Sequence, residues 1–79
     1  MDYRIEDLYK AAYLRLRGVE PELRVIGSQV IFIFDSELID SLMDEYWEGA
    51  EVNVIKYIEK IKETRTMMYK KKDEKKLDI

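Results

Sequence analysis

The spacing of hydrophobic residues predicts a helix near the start of the chain. From residue 6 to residue 17, apolar side chains recur at intervals of three and four residues, as on one face of a helix. Gly18 follows, and glycine commonly ends a helix in a left-handed conformation. Leu14 falls on the opposite side, where it needs a partner to be covered. The predicted core face of this helix consists of Ile5, Leu8, Tyr9, Ala12 and Leu16.

Two strands are predicted next, over residues 23–26 and 29–34, because both segments are rich in β-branched and aromatic side chains. Gly27 and Ser28 separate them, and glycine at the first central position indicates a type II′ hairpin turn. The second strand, Val30 to Phe34, is apolar on both faces. We therefore expect both faces to be covered, by helices of this chain or by a second copy.

The second half of the chain predicts two more helices, over residues 37–48 and from residue 54 to residue 70 or beyond. Residues 51–53, between them, fit a brief third strand. The predicted core side of the first of these helices is formed by Leu38, Ile39, Leu42, Met43, Tyr46 and Trp47. That of the second is formed by Val54, Tyr57, Ile58, Ile61, Met68 and Tyr69.

Arg65 falls within the predicted core side of the last helix. A guanidinium is costly to bury unless it is paired, stacked or able to reach water. We expect it to stack on Tyr69 or to meet a carboxylate of the acidic half of the chain. The alternative is that it points outward, toward an anionic partner.

These elements together predict an α+β fold in a single small domain over residues 1–70. The order is α-β-β-α-(short β)-α, with an antiparallel hairpin packed by helices. A two-stranded hairpin is marginally stable on its own, which also favours association into a homo-oligomer. Residues 71–79 are highly charged and lack apolar spacing, so we expect a frayed C-terminal tail.

Composition narrows the chemistry, since the 79 residues include no Cys and no His. Disulfides, the usual zinc and haem ligands, and catalysis by a His or Cys side chain are thereby excluded. We expect no cofactor, no metal and no enzymatic activity. The predicted second helix does carry a row of carboxylates, but a single exposed helix face cannot close around a cation, so we expect this row to be solvated. Its members are Glu37, Asp40, Asp44 and Glu48.

Charge is divided unequally, with a net −7 over residues 1–55 and +4 over residues 56–79. This asymmetry suits complementary surfaces within a homo-oligomer, or a nucleic-acid or acidic partner for the basic end. Acidic neighbours dilute the basic run, so nucleic acid is the less favoured partner. The candidate nucleic-acid-binding residues are Lys56, Lys60, Lys62, Lys70, Lys71 and Lys72.

The location of the protein is predicted to be cytoplasmic. The first residues lack a signal-peptide pattern, and no apolar run approaches the roughly 20 residues that a membrane span requires. We expect no membrane partner. Charged residues make up 39% of the chain, whereas Gln29 and Asn53 are its only side-chain amides, a composition typical of heat-adapted proteins.

Aromatic residues suggest where a partner could bind, because Tyr, Trp and Arg are favoured at the centres of interfaces. Tyrosine also packs at the rim of small cores, which is the simpler interpretation of most of the six tyrosines. The candidate partner-binding residues are Tyr13, Leu14, Tyr57, Arg65 and Tyr69. The predicted function is a small non-enzymatic interaction or adaptor domain that self-associates. The alternative is a nucleic-acid-binding accessory protein that uses the basic C-terminal helix and tail.

A family resemblance rests mainly on residues 7–14, which read Asp-Leu-Tyr-Lys-Ala-Ala-Tyr-Leu. Together with the strand at 30–34 and the segment at 65–69, this block resembles a small bacterial family of domains of unknown function. Members have an extended start, the Asp-Leu-Tyr-x-Ala-Ala-Tyr-Leu block, a hairpin, two helices and an end similar to Leu-Lys-x-Leu-Ile-Tyr. Ile5 replaces a usual Thr and Val54 replaces a usual Pro. The resemblance implies the α-β-β-α-α order and no particular chemistry.

Overall fold

The computed structural model describes residues 2–77, with side chains as far as Glu74. It contains three strands and three helices, which confirms the predicted α+β fold. The elements in chain order are β1 (Asp2–Ile5), α1 (Leu8–Leu16), β2 (Glu22–Ile26), β3 (Gln29–Asp35), α2 (Ile39–Trp47) and α3 (Val54–Leu77).

The sheet is antiparallel, in the order β1-β3-β2, so the most apolar strand lies in its centre. Ile5 lies opposite Phe32 and Leu23 lies opposite Phe32 on the other side. The third strand is therefore at the start of the chain, and its prediction at residues 51–53 was wrong. Those residues form an irregular connection between α2 and α3.

The N-terminal segment forms a strand because α1 begins later than its hydrophobic spacing suggests. Asp7 is the N-cap of α1, and its Oδ1 accepts hydrogen bonds from the backbone N–H groups of Tyr9 and Lys10, at 2.8 and 3.1 Å. This cap fixes the first helical turn and leaves Ile5 outside it. Ile5 is buried in the sheet instead of forming part of the helix face.

Helix α1 is buried over more of its circumference than one amphipathic face. Ala11, Ala12, Tyr13 and Leu14 are all buried, whereas Tyr9 is exposed. The helix contacts both α2 and α3, so two of its sides are covered. The prediction that Leu14 faces outward was wrong, because α1 is enclosed on two sides by the rest of the domain.

Strand β3 is apolar on both faces, as its sequence indicates, but the two faces are covered differently. Phe32 and Phe34 belong to the main core, together with buried residues of α1 and α2. Ile31 and Ile33 alternate with them and so lie on the opposite face, in register with charged residues of the neighbouring strands. They are also buried, outside that core cluster.

Local signals in the sequence form the hairpin turn and the segments that lead into α2 and α3. The hairpin loop is Gly27-Ser28, and Gly27 has φ +65, the sign that a type II′ turn requires at this position. Asn53 Oδ1 accepts a hydrogen bond from the Lys56 N–H at 3.1 Å and so caps α3. Ser36 Oγ accepts one from the Leu38 N–H at 3.1 Å, just before α2.

Helix α3 was predicted to run to residue 70 or beyond, and in the structure it continues to Leu77. The charged run from residue 71 is helical to that point, and its fraying in solution stays a prediction. Residues 78 and 79 lie outside the described part of the chain. Pairs such as Lys71 and Glu74, whose Nζ and Oε2 lie 3.6 Å apart, add modest support along the exposed helix.

Candidate interaction surface

The predicted partner-binding residues divide into three groups by their exposure in the structure. Tyr13 and Leu14 lie in the core and are closed to any partner, so their assignment to a surface was wrong. Tyr57 is half-buried between helices. Arg65 and Tyr69 are exposed on α3. Only the last two remain candidates for direct contact with another molecule.

The side of α3 that is buried in the structure is rotated about the helix axis from the side that the sequence predicted. Tyr57, Ile61 and Met68 turn toward the domain, and fully buried Thr64 lies between them. Arg65 is exposed, so its prediction on the core side of the helix was wrong. The physical reason is that a threonine fills this narrow contact with α1, a position that hydrophobic spacing alone does not identify.

A guanidinium is buried, but it belongs to Arg15 of α1. Its Nε donates to Glu20 Oε2 at 2.9 Å, its Nη1 to Thr64 Oγ1 at 3.0 Å and its Nη2 to Glu63 Oε1 at 3.4 Å. The Thr64 hydroxyl in turn donates to the Lys60 carbonyl at 2.6 Å. This network joins α1 to α3 and satisfies the buried charge, so its role is structural.

A cluster of tyrosines joins the three helices. The Tyr13 ring meets Tyr46 of α2 and Tyr57 of α3 edge to face, with centroids 5.5 and 6.5 Å apart. The Tyr13 hydroxyl oxygen is buried and has no hydrogen-bond partner among the described residues. Burial raises the pKa of Tyr13, and the nearby Glu45 carboxylate raises it further. These rings serve as core residues, as the simpler interpretation of the sequence predicts.

The surroundings of Tyr57 keep its phenol in the neutral form. Its hydroxyl donates a hydrogen bond to the backbone carbonyl of Tyr9 at 2.8 Å, which ties α3 to the first turn of α1. Burial, with smaller contributions from Tyr46 and Asp7, raises the pKa of Tyr57 to about 12. A phenol with so high a pKa is a poor general base at neutral pH.

The raised pKa of Tyr57 predicts a loss of stability at alkaline pH. The folded state keeps the proton up to pH about 12, whereas an unfolded tyrosine loses it near pH 10. The stabilisation by the neutral phenol is therefore complete below pH 10 and is lost as the pH rises through 12. Urea denaturation from pH 8 to 12 should show a smaller decline for Tyr57→Phe than for the wild type. Equal declines would contradict this assignment.

The exposed side of α3 forms a continuous surface, which we call the outer face of α3. On a helical projection its members fall within about a third of the circumference. Three are aliphatic and largely exposed, namely Val54 at 65%, Ile55 at 66% and Ile58 at 42%. No carboxylate falls on this face between residues 54 and 72. The outer face consists of Val54, Ile55, Ile58, Lys62, Arg65 and Tyr69.

The predicted nucleic-acid-binding lysines do not share one face of α3. Lys62 lies on the outer face, Lys56 and Lys70 project elsewhere, and Lys72 is half-buried. Lys60 and Lys71 pair with Glu63 and Glu74, at 3.4 and 3.6 Å. The structure therefore brings only Lys62 together with Arg65.

The predicted core side of α2 was wrong at Leu38 and Trp47, because both side chains are exposed. Leu38 precedes the first helical residue, and Trp47 is the last residue of the helix. The ammonium group of Lys10 lies 4.6 Å from the centroid of the Trp47 ring. Sequence spacing did not single out this pair, since it joins the ends of two helices that are distant in the chain.

Within the described residues, no group of three or more Asp or Glu side chains is placed to hold a metal ion. The carboxylates of Glu37, Asp40, Asp44 and Glu48 are exposed. None of the described helices combines the length and the apolarity needed to cross a membrane.

Fold and surface together define a small α+β domain, with three helices, a three-stranded sheet and an exposed apolar and basic face on α3. Residues 1–70 match the family described as Domain of unknown function (DUF5659). The chain belongs to this family, which confirms the resemblance to a domain of unknown function. Comparisons with curated proteins and with solved structures gave no match.

Proposed function

We propose that the chain is a non-enzymatic interaction domain that self-associates through the outer face of α3. The observation that carries the proposal is the exposure of Val54, Ile55 and Ile58 in adjacent turns of one helix. Single exposed aliphatic residues are common, but contiguous ones are typical of interfaces. The lack of His and Cys and the high pKa of Tyr57 support a binding role rather than catalysis.

A second copy fits this face because the charges of the chain are complementary. The segment before α3 is acidic, with a net −7 over residues 1–55, whereas the rest of the chain carries +4. If two α3 helices cross antiparallel at Ile55 and Ile58, Lys62 and Arg65 of one copy extend past the start of the partner helix. Glu51, which is exposed, precedes that start. The contact is then isologous, as in most homodimers.

The expected dimer is weak, because the aliphatic part of the face is small. Three side chains supply well below the roughly 800 Å² per partner of a standard stable interface. The basic half of the face must contribute the remainder, through contacts with the acidic part of the second copy. Association should therefore weaken as salt concentration rises.

Nucleic-acid binding is the alternative function, and the arrangement of lysines supports it less. A phosphate backbone is bound best by a continuous basic surface. Here the cations of α3 point in several directions, and two of them are paired with glutamates. The body of the chain adds further negative charge.

Self-association is testable by light scattering. We expect a dimer at about 100 µM, which corresponds to the weak range of specific association. Replacing both Ile55 and Ile58 by glutamate places like charges at the centre of the contact and should give a monomer with an unchanged thermal midpoint. Ile26→Glu is the matched control, because Ile26 is similarly exposed but lies on β2. A monomeric wild type at this concentration, or loss of the dimer in the Ile26 variant alone, would overturn the proposal.

A further inference from the structure

A groove runs along the outer edge of the sheet, between strand β1 and helix α2. It consists of two adjoining cavities of about 580 and 380 Å³, which share Tyr3. The strand side of the larger cavity includes Arg4 and Ile5, and the helix side includes Met43 and Trp47. Ile39 and Asp40 of α2 line the smaller cavity. The groove thus follows β1 from Tyr3 to Ile5.

The register of the sheet leaves backbone groups of β1 directed into this groove. In a two-residue hairpin, Ile26 and Gln29 form the hydrogen-bonded pair, and such pairs alternate along the strands. Phe32 and Phe34 therefore direct their backbone groups toward β1, where they meet Ile5 and Tyr3. The N–H and C=O of Arg4, between those two, point away from β3. They are the groups that an added strand would pair with.

The wall formed by α2 has an aromatic end and an acidic end. Trp47 is 70% exposed, and its ring meets Tyr46 edge to face at 5.4 Å. At the other end, Tyr3 and Asp40 line the groove together, and the Asp40 carboxylate raises the pKa of the Tyr3 phenol, with a smaller contribution from Asp44. Glu37 completes this end of the groove. In the part of the chain that the structure describes, these three carboxylates have no cation paired with them.

We propose that this groove binds an extended peptide, which joins the sheet as a fourth strand beside β1 and carries one apolar and one basic side chain toward α2. The apolar side chain would lie against Met43 and Trp47, and the Lys or Arg would face Asp40 and Asp44. Backbone pairing at a sheet edge supplies affinity in this mode, and alternate side chains supply specificity.

The dimensions of the wall fix the spacing of the two side chains. Asp40 and Trp47 are seven residues apart on α2, which corresponds to about 10 Å along the helix. Side chains two residues apart on a strand point the same way and are separated by about 7 Å. Because α2 runs from the Tyr3 end of the groove toward the Ile5 end, an antiparallel peptide presents its apolar residue first. The preferred pattern is therefore apolar-x-basic, because the long side chain of a Lys or Arg spans the remaining distance of about 3 Å to Asp40.

A second copy of the chain fits this groove poorly. Pairing of β1 with its own counterpart would bring the two α2 helices together across a two-fold axis at Tyr3. Asp40 and Asp44 of one copy would then face the same carboxylates of the other, and like charges oppose such a contact. Charge complementarity favours a basic peptide over this pairing, so the groove is separate from the outer face of α3.

The probe is the acetylated and amidated heptapeptide Thr-Thr-Leu-Thr-Lys-Thr-Thr, and a peptide with Glu in place of Lys is its control. Trp47 is the only tryptophan of the chain, so its emission reports on the groove directly. We expect a blue shift that saturates with the Lys peptide below about 1 mM and at least about tenfold weaker binding of the Glu peptide. Equal binding of the two peptides, or no shift with either, would overturn the proposal.

Two variants at Arg4 distinguish backbone pairing with an added strand from contacts made by the Arg4 side chain. Arg4→Pro removes an N–H that points away from β3, and edge strands tolerate proline, so the fold should persist. Arg4→Ala removes the side chain and keeps the N–H. We expect peptide binding by the alanine variant and loss of binding by the proline variant, with circular dichroism spectra alike. Unchanged binding by Arg4→Pro, or a change in its oligomeric state, would contradict a peptide strand at this edge.

Discussion

Replacing Phe32 by alanine is expected to remove most of the free energy of unfolding of the protein. Phe32 is fully buried at the centre of the sheet, where it belongs to the main core with residues of α1 and α2. Large-to-small changes of this kind cost about 3–5 kcal/mol. A domain of this size has a total stability near the lower end of about 5–15 kcal/mol, so the loss removes most of it. Urea denaturation followed by circular dichroism measures the effect.

Ile33→Thr is the comparison for the opposite face of the same strand. Ile33 is also buried, but it lies in register with Arg4 and Glu22, which are both exposed. We expect a loss of about 1–2 kcal/mol, mostly from the apolar area removed. If the two variants lost equal stability, the Ile face would be as fully enclosed as the Phe face, and a second copy covering the sheet would have to be considered.

Thr64→Val is expected to produce the second large effect, a loss of about 2 kcal/mol. The change nearly preserves shape but removes the hydroxyl that accepts a hydrogen bond from Arg15 Nη1 at 3.0 Å. Part of a buried guanidinium then lacks a partner, and the bond to the Lys60 carbonyl is lost as well. Thermal and urea denaturation of the purified variant give the measurement.

Thr66→Val provides a matched control on the same helix. The Thr66 hydroxyl also donates to a carbonyl four residues earlier, that of Lys62, at 3.0 Å. It is exposed and has no role in the Arg15 network, so its loss should change stability by less than about 0.5 kcal/mol. Equal effects of the two valines would show that the local bond to the helix carbonyl, rather than the contact with Arg15, is the stabilising feature.

The sequence predicted the fold class, the hairpin and the start of α3 because these depend on local signals. Asn53 and the Gly27 turn act within a few residues. Strand β1 was missed because Asp2–Ile5 is short and Ile5 was assigned to the face of α1, whereas its pairing with β3 defines it as a strand. The enclosure of α1 on two sides likewise depends on where α3 packs, which no local pattern shows.

The candidate surface was predicted less well than the fold. Arg65 and Tyr69 were identified, but the exposed aliphatic residues beside them were assigned to the core. Hydrophobic spacing marks a broad apolar arc on α3, and only the position of α1 decides which part is buried. Thr64 occupies the contact, so the buried stripe is shifted and Val54 and Ile58 are left outside. The groove beside β1 could not be foreseen without that strand.

The topology of the sheet also bears on the order in which the protein folds. Strands β2 and β3 are joined by two residues, so their pairing closes a very short loop. Pairing of β1 with β3 joins positions about 30 residues apart and must offset a larger loss of chain entropy. We therefore expect the hairpin to form before β1 pairs with it, and β1 to open locally before the hairpin does. The edge that we assign to peptide binding is therefore the part of the sheet with the fastest local opening.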